Sequence, residues 1–228
     1  GTPLLGINLG RLGFMVDVLP SDMTKTLDEV FAGNYIAESR LMLSAWVRRG
    51  GQIMDEAPLL AINECVIRNQ AFARVLDFDT YMNGDFISHH RADGMVVATP
   101  TGSTAYSLSS GGPIITPDVD SFVITPISPH SLTSRPLVVS ADSVVRIDFP
   151  GEEDKITFMA DGQIYEIPCV KLNCRFFGKD FHKTSASFIV SRSYKTHITF
   201  GEFNITGTNE GFPQNAHSTY APCESRDF

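Results

Sequence analysis

Asp93-Gly94-Met95-Val96-Val97-Ala98-Thr99-Pro100-Thr101-Gly102-Ser103-Thr104-Ala105-Tyr106-Ser107-Leu108-Ser109-Ser110-Gly111-Gly112-Pro113 is the stretch on which the reading of this sequence turns. The apolar run from Met95 to Ala98 predicts a buried strand. It runs into a turn crowded with glycine and hydroxyl residues. Such a turn exposes main-chain N–H groups and small side chains, so a ligand can approach the backbone closely. Ser103, Thr104, Ser107 and Ser109 supply donors and acceptors suited to ribose or phosphate oxygens. The ring of Tyr106 offers a face for a base. The same composition also suits a helix N-cap and a surface loop, with a short helix after Thr101-Gly102. Composition alone leaves both readings open.

Outward from this stretch, strand signals dominate. Leu59-Leu60-Ala61-Ile62, Cys65-Val66-Ile67, Phe122-Val123-Ile124-Thr125, Leu137-Val138-Val139-Ser140 and Val144-Val145-Arg146-Ile147-Asp148-Phe149 are further candidates. Turn residues separate them at Gly50-Gly51, Asn83-Gly84, Gly111-Gly112-Pro113 and Pro150-Gly151. Many short strands with frequent turns predict a mainly β protein, a sandwich or a related layered fold. One helix is expected over residues 21–31, with Met23, Leu27, Val30 and Phe31 at helical spacing. Gly33 is placed to close it. Leu4-Leu5-Gly6-Ile7-Asn8 reads as a buried strand close to the start of the sequence. After about Asn204 the apolar pattern fades, and a loose tail is expected.

Across 228 residues, 43% hydrophobic and 19% charged content fit an ordinary globular protein. The formal net charge of −8 argues against a partner held by its phosphate backbone. Cys65, Cys169, Cys174 and Cys223 form no CxxC pair and no zinc-ligand spacing with histidine. Cys65 sits in an apolar run and reads as a reduced core thiol, which suits a cytoplasmic setting. No signal peptide is evident at the start, and no run reaches the ~18 apolar residues of a membrane span.

Four other places hold chemistry. Asn63-Glu64 lies between two apolar runs, where burying a carboxylate demands a partner. A ribose would satisfy it; a strand edge facing water is the alternative. Asn8-Leu9-Gly10-Arg11-Leu12-Gly13-Phe14 is not a GxGxxG fingerprint. It reads either as the wall of a nucleotide pocket, with Phe14 against a base, or as a tight structural turn. Arg91-Ala92-Asp93-Gly94 stands at a strand entry, for ligand contact or a surface ion pair. Adjacent His89-His90 lacks a nearby third ligand for a metal. Asp161-Gly162-Gln163 reads first as a hairpin turn, although its aspartate can also face a cleft.

Taken in order, Gly6-Ile7-Asn8-Leu9-Gly10-Arg11-Leu12-Gly13-Phe14, Asn63-Glu64, Arg91-Ala92-Asp93-Gly94 and Thr99-Pro100-Thr101-Gly102-Ser103-Thr104-Ala105-Tyr106-Ser107 resemble the NAD kinase family. Ile127-Ser128-Pro129-His130-Ser131-Leu132-Thr133-Ser134-Arg135-Pro136 and Asp161-Gly162-Gln163 continue the resemblance, which covers roughly residues 1 to 165. It implies a kinase with an N-terminal α/β domain and a C-terminal β-sandwich that binds NAD. The expected division is 1–15 as a remnant of the α/β domain, 16–203 as the NAD-binding sandwich and 204–228 as a divergent tail. By resemblance, Phe14, Asn63, Thr104 and Tyr106 line an adenosine pocket, and Glu64 takes ribose hydroxyls. Asp93 and Ala105 lie toward the nicotinamide, with Ser109 close by. Arg91, Ser103 and Asp161 complete the candidate NAD-binding set. The implied reaction phosphorylates NAD at the 2′-hydroxyl of the adenosine ribose, with ATP and Mg²⁺ or another divalent cation. The implied assembly is a homo-oligomer.

Two departures qualify this. The family's GGDG motif, whose aspartate is expected to activate the hydroxyl, occurs nowhere in the sequence. Residues beyond Gln163 do not follow the family's usual ending. No catalytic residue is therefore expected in this chain, which alone should bind but hardly turn over. An inactive NAD(P)-binding module of the same family is the alternative.

Overall fold

The computed structural model describes residues 4–9, 16, 18–49, 52–53, 57–70, 75–150, 156–167, 172–177, 185–191, 196–200 and 203–207. The chain divides into two compact units. One comprises Gly1–Gly6 and Ala37–Ile189, the other Ile7–Ile36 and Val190–Phe228. The sequence-based boundaries at 15 and 203 both fall inside the second unit.

The elements follow in chain order. Helix α1 (Met23–Phe31) follows a 3-10 turn at Pro20–Asp22. Next come β1 (Tyr35–Leu41), β2 (Leu43–Arg49), β3 (Gln52–Ile53), β4 (Leu59–Ala61) and β5 (Glu64–Asn69). Then come β6 (Leu76–Met82), β7 (Asp85–Ala92) and β8 (Gly94–Ala98). A 3-10 turn at Thr101–Thr104 and helix α2 (Tyr106–Ser109) precede β9 (Ser121–Ile127), β10 (Leu137–Ser140) and β11 (Val144–Phe149). The remainder are β12 (Ile156–Ala160), β13 (Gln163–Ile167), β14 (Leu172–Phe177), β15 (Ser185–Ser191), β16 (Thr196–Phe200) and β17 (Phe203–Gly207).

Within the first unit two antiparallel sheets face each other. One has the order β10-β9-β8-β5-β12-β13; the other has the order β3-β2-β14-β11-β6-β7, with β4 also paired to β2. Their facing sides merge into one core. Cys65, Ile67, Met95, Val97, Phe122 and Phe158 of the first sheet meet Leu43, Phe78, Ile147, Phe149 and Phe176 of the second. Phe158 stacks on Phe176 with ring centroids 6.2 Å apart. This is the predicted sandwich. Every residue of β8 and β9 is buried, because the outer face of their sheet is covered too. There Val66, Val96, Ala98, Val123 and Ile127 pack with Ile115 from the segment after α2. Double burial explains why these strands read as unbroken apolar runs.

Turn chemistry fixes the hairpins. Asn83 (φ 53°) and Gly84 (φ 98°) join β6 to β7, and Asp161 (φ 46°) and Gly162 (φ 77°) join β12 to β13. Two consecutive left-handed residues match the twist of the flanking strands.

In the second unit, helix α1 lies within the span predicted for it, and Gly33 (φ 82°) follows its end. Met23 and Phe31 are exposed, however. Leu4–Asn8 also departs from expectation. It makes isolated bridges, such as Ile7 with Val18, rather than a strand, and Leu4 is exposed. An apolar run becomes a strand only where its N–H and C=O groups find a ladder partner. β16 and β17 form an antiparallel hairpin that reaches Gly207, three residues past the expected loss of pattern. The rest of the expected tail, 208–228, lies outside the described residues.

Candidate dinucleotide site

The site is built at one end of the six-stranded sheet. Strand register places it there: Glu64 at the start of β5 is opposite Ala98 at the end of β8, and Cys65 is opposite Ala160 at the end of β12. Three loops leave from this edge. They are Ile62-Asn63 before β5, Thr99–Ala105 after β8 and Asp161-Gly162 after β12.

Glycine lets two of these loops touch. A Cβ on Gly102 would lie 2.0 Å from the Asn63 carbonyl oxygen, so only glycine fits. Thr99 ties the same loops together. Its amide donates to the Asn63 carbonyl at 2.9 Å, and its hydroxyl donates to the Ile62 carbonyl at 2.5 Å. That hydroxyl also accepts from the Gly102 amide at 3.1 Å, a contact typical of helix starts.

Asp161 holds the third loop to the first. Its Oδ2 accepts from the Ile62 amide at 2.6 Å, and Oδ1 accepts from the Asn63 and Glu64 amides at 2.8 and 3.1 Å. The sequence offered a hairpin turn or a cleft-facing aspartate; Asp161 is both a turn residue and an acceptor for the neighbouring loop.

Glu64 is half-buried, and its Oε2 has no hydrogen-bond partner among the described residues. Burial first, and the Asp161 charge second, push its carboxyl up to about 7. A carboxyl group so placed takes up or gives up a proton near neutral pH. It can accept from a ligand hydroxyl when ionised, or donate when protonated.

The hydroxyls of the turn divide into two sets. Ser103 is fully buried; its Oγ donates to the Pro100 carbonyl at 2.6 Å and accepts from the Ile115 amide at 2.9 Å. Ser107, also fully buried, bonds Thr125 Oγ1 at 3.0 Å. Both hold the turn against the sheet, which matches the structural one of the two readings that the sequence left open for these residues. The stretch from Gly111 to Asp120 returns over the sheet, and the buried Ile115 needs that polar anchor. Thr104 and Ala105 are half-buried, while Tyr106 and Ser109 are exposed on α2.

Arg91 and Asp93 stand at the other end of β8 from this group. Asp93 precedes the first residue of β8, and Glu64 is paired with the last. Five residues of extended chain separate those ends by roughly 17 Å. Arg91 instead borders a cavity of about 330 Å³, with His90, Met95, Ser131 and Arg135 among its walls. Phe14 lies outside the described residues.

Thr99 and Ile62 were not singled out in the sequence, although both organise the site. The sequence signal for Thr99 was its place three residues before Gly102. Ile62 acts through its backbone, which no side-chain pattern reveals.

Residues 62–169 match the sequence profile of the ATP-NAD kinase C-terminal domain. The chain carries an NAD-kinase C-terminal domain. NAD kinase of Desulforamulus reducens is 45% identical over 74% of this chain and 57% of its own length. NAD kinase of Cellvibrio japonicus is 47% identical over 63% of this chain and 47% of its own. The chain thus spans about half the length of these NAD kinases. Among solved structures, yeast NADH kinase complexed with NADH superposes with a TM-score of 0.74 at 28% identity. That match covers 82% of this chain and 54% of the yeast one. An NAD kinase from Archaeoglobus fulgidus in complex with ATP gives 0.68 at 25% identity, over 83% and 69% of the two chains. The NAD-kinase domain profile spans all three loops of the site. Among the described residues, no helix is long and apolar enough to cross a membrane.

Proposed function

We propose that this chain supplies the NAD-binding part of an NAD kinase, and that the whole protein phosphorylates NAD at the 2′-hydroxyl of the adenosine ribose with ATP. The observation that carries the proposal is the half-buried Glu64 carboxyl, whose Oε2 has no hydrogen-bond partner among the described residues, at the edge where the Thr99–Ala105 turn and Asn63 meet. Ribose hydroxyls supply the missing partners. The exposed ring of Tyr106 offers a stacking face for adenine, and the half-buried Thr104 and Ala105 line the approach. Asn63 adds an amide that both donates and accepts. Ser109, on the exposed side of α2, is at the rim. Asp93, at the far end of β8 from Glu64, is assigned to the nicotinamide end by family resemblance, and Arg91 stays in the candidate set.

The relatives support the reading: one solved neighbour holds NADH and another holds ATP. Phosphoryl transfer depends on positioning and charge neutralisation. In this proposal Mg²⁺ or another divalent cation accompanies ATP. Among the described residues no three His, Cys, Asp or Glu side chains gather as a cation site. A homo-oligomer in the cytoplasm completes the proposal, by family resemblance. The test is calorimetric titration of the chain with NAD, followed by an assay for NADP formed from NAD, ATP and Mg²⁺. Saturable NAD binding supports the binding role, and its absence defeats it. NADP formation by this chain alone would overturn the expectation that it lacks the catalytic aspartate.

A further inference from the structure

We infer that Asp161 is a positioning residue of this site: its carboxylate fixes the backbone of Ile62, Asn63 and Glu64, and it acts through them rather than by contact with the ligand. The inference rests on the reading of the site given above.

Ile62 and Asn63 lie between β4 and β5, outside any strand. Three consecutive amides, from Ile62 to Glu64, all donate to one carboxylate, at 2.6, 2.8 and 3.1 Å. The Asp161 amide closes the loop by donating to the Glu64 carbonyl at 3.0 Å. Four hydrogen bonds therefore join a two-residue turn to the segment that presents Asn63 and Glu64. A carboxylate suits this task, since it has two acceptor oxygens and a charge that strengthens each bond. Both oxygens are engaged by the backbone. The left-handed conformation of Asp161 (φ 46°) sets the direction of the side chain, and asparagine tolerates the same backbone.

The Asp161 charge also bears on Glu64, adding to burial in raising its carboxyl. Strand β8, strand β12 and the Thr99–Thr104 turn, which pack around Glu64, carry no titratable side chain. Neighbouring Cys65 is buried, with its thiol pushed well up and so neutral. Among the described residues, Asp161 is therefore the charge to which Glu64 responds.

The experiment compares the wild-type chain with Asp161→Asn and Asp161→Ala. Two quantities are read: NAD affinity by calorimetry, and the titration of the Glu64 carboxyl carbon by NMR without ligand. Asp161→Asn keeps the turn but removes the charge and one acceptor. The expected result is a loss of NAD affinity of about tenfold to a hundredfold, the range found when groups that orient metal ligands are removed. The Glu64 midpoint is expected to move to lower pH in both variants, a change that a purely structural role would not produce. If Asp161→Ala fails to fold, Asp161→Asn decides. Wild-type affinity in the variants, or an unmoved Glu64 midpoint, overturns the inference while leaving the function intact. Failure of the wild-type chain to bind NAD removes both together.

Discussion

Gly102 faces the carbonyl oxygen of Asn63 so closely that a Cβ on Gly102 would lie 2.0 Å from it. The contact is backbone against backbone, between loops 39 residues apart in sequence, and no side chain can swing aside to relieve it. It fixes the distance between the hydroxyl-rich turn and the segment that presents Glu64.

Gly102→Ala should therefore force the two loops apart. Overpacking of this kind costs about 1–3 kcal/mol. Thermal unfolding reads the loss of stability, and NAD titration of the folded variant reads the damage to the site. A variant as stable as the wild type and equal in NAD affinity would contradict the role given to this contact.

Glu64 should make stability depend on pH. Its folded carboxyl is raised from 4.5 to about 7, so between those values the folded state holds more proton than the unfolded one. The contribution is fully present below about 4.5 and is lost as pH rises through about 7. Glu64→Gln removes this dependence. Melting temperatures of wild type and variant, measured at pH 5 and pH 8, should show the variant gaining relative to the wild type at the higher pH. A difference that stays constant would contradict the raised carboxyl.

Phe158→Ala tests the sandwich itself. The ring is fully buried and stacks between the sheets on Phe176. Truncating a buried phenylalanine costs about 3–5 kcal/mol. Denaturant unfolding should show that loss, and a change below about 1 kcal/mol would argue against this packing.

Much of the sandwich was legible because burial writes itself into sequence. β8 and β9 are covered on both faces, so they appear as continuous apolar runs. β10 and β11 were equally plain. β7 was not, since most of this edge strand is exposed and only Ala92 is buried. Its residues, from Asp85 to Arg91, carry no apolar pattern to read. In the site, Glu64 and the turn after Ala98 were visible as a carboxylate among apolar residues and a cluster of glycine and hydroxyls. The separation of Asp93 from Glu64 was not, because it depends on which ends of antiparallel strands are paired. Likewise, Ser103 and Thr104 look alike in sequence, but one is buried and holds Ile115 while the other is half-buried. Only the path of the chain after α2 distinguishes them.

Calorimetric titration of NAD into the wild-type chain and its Glu64→Ala variant bears most directly on the dinucleotide site. Wild type should bind saturably, and the variant should lose about 1–3 kcal/mol, roughly five- to 150-fold in affinity, as the ribose hydroxyls lose their partner. Equal affinities in the two proteins would contradict the account.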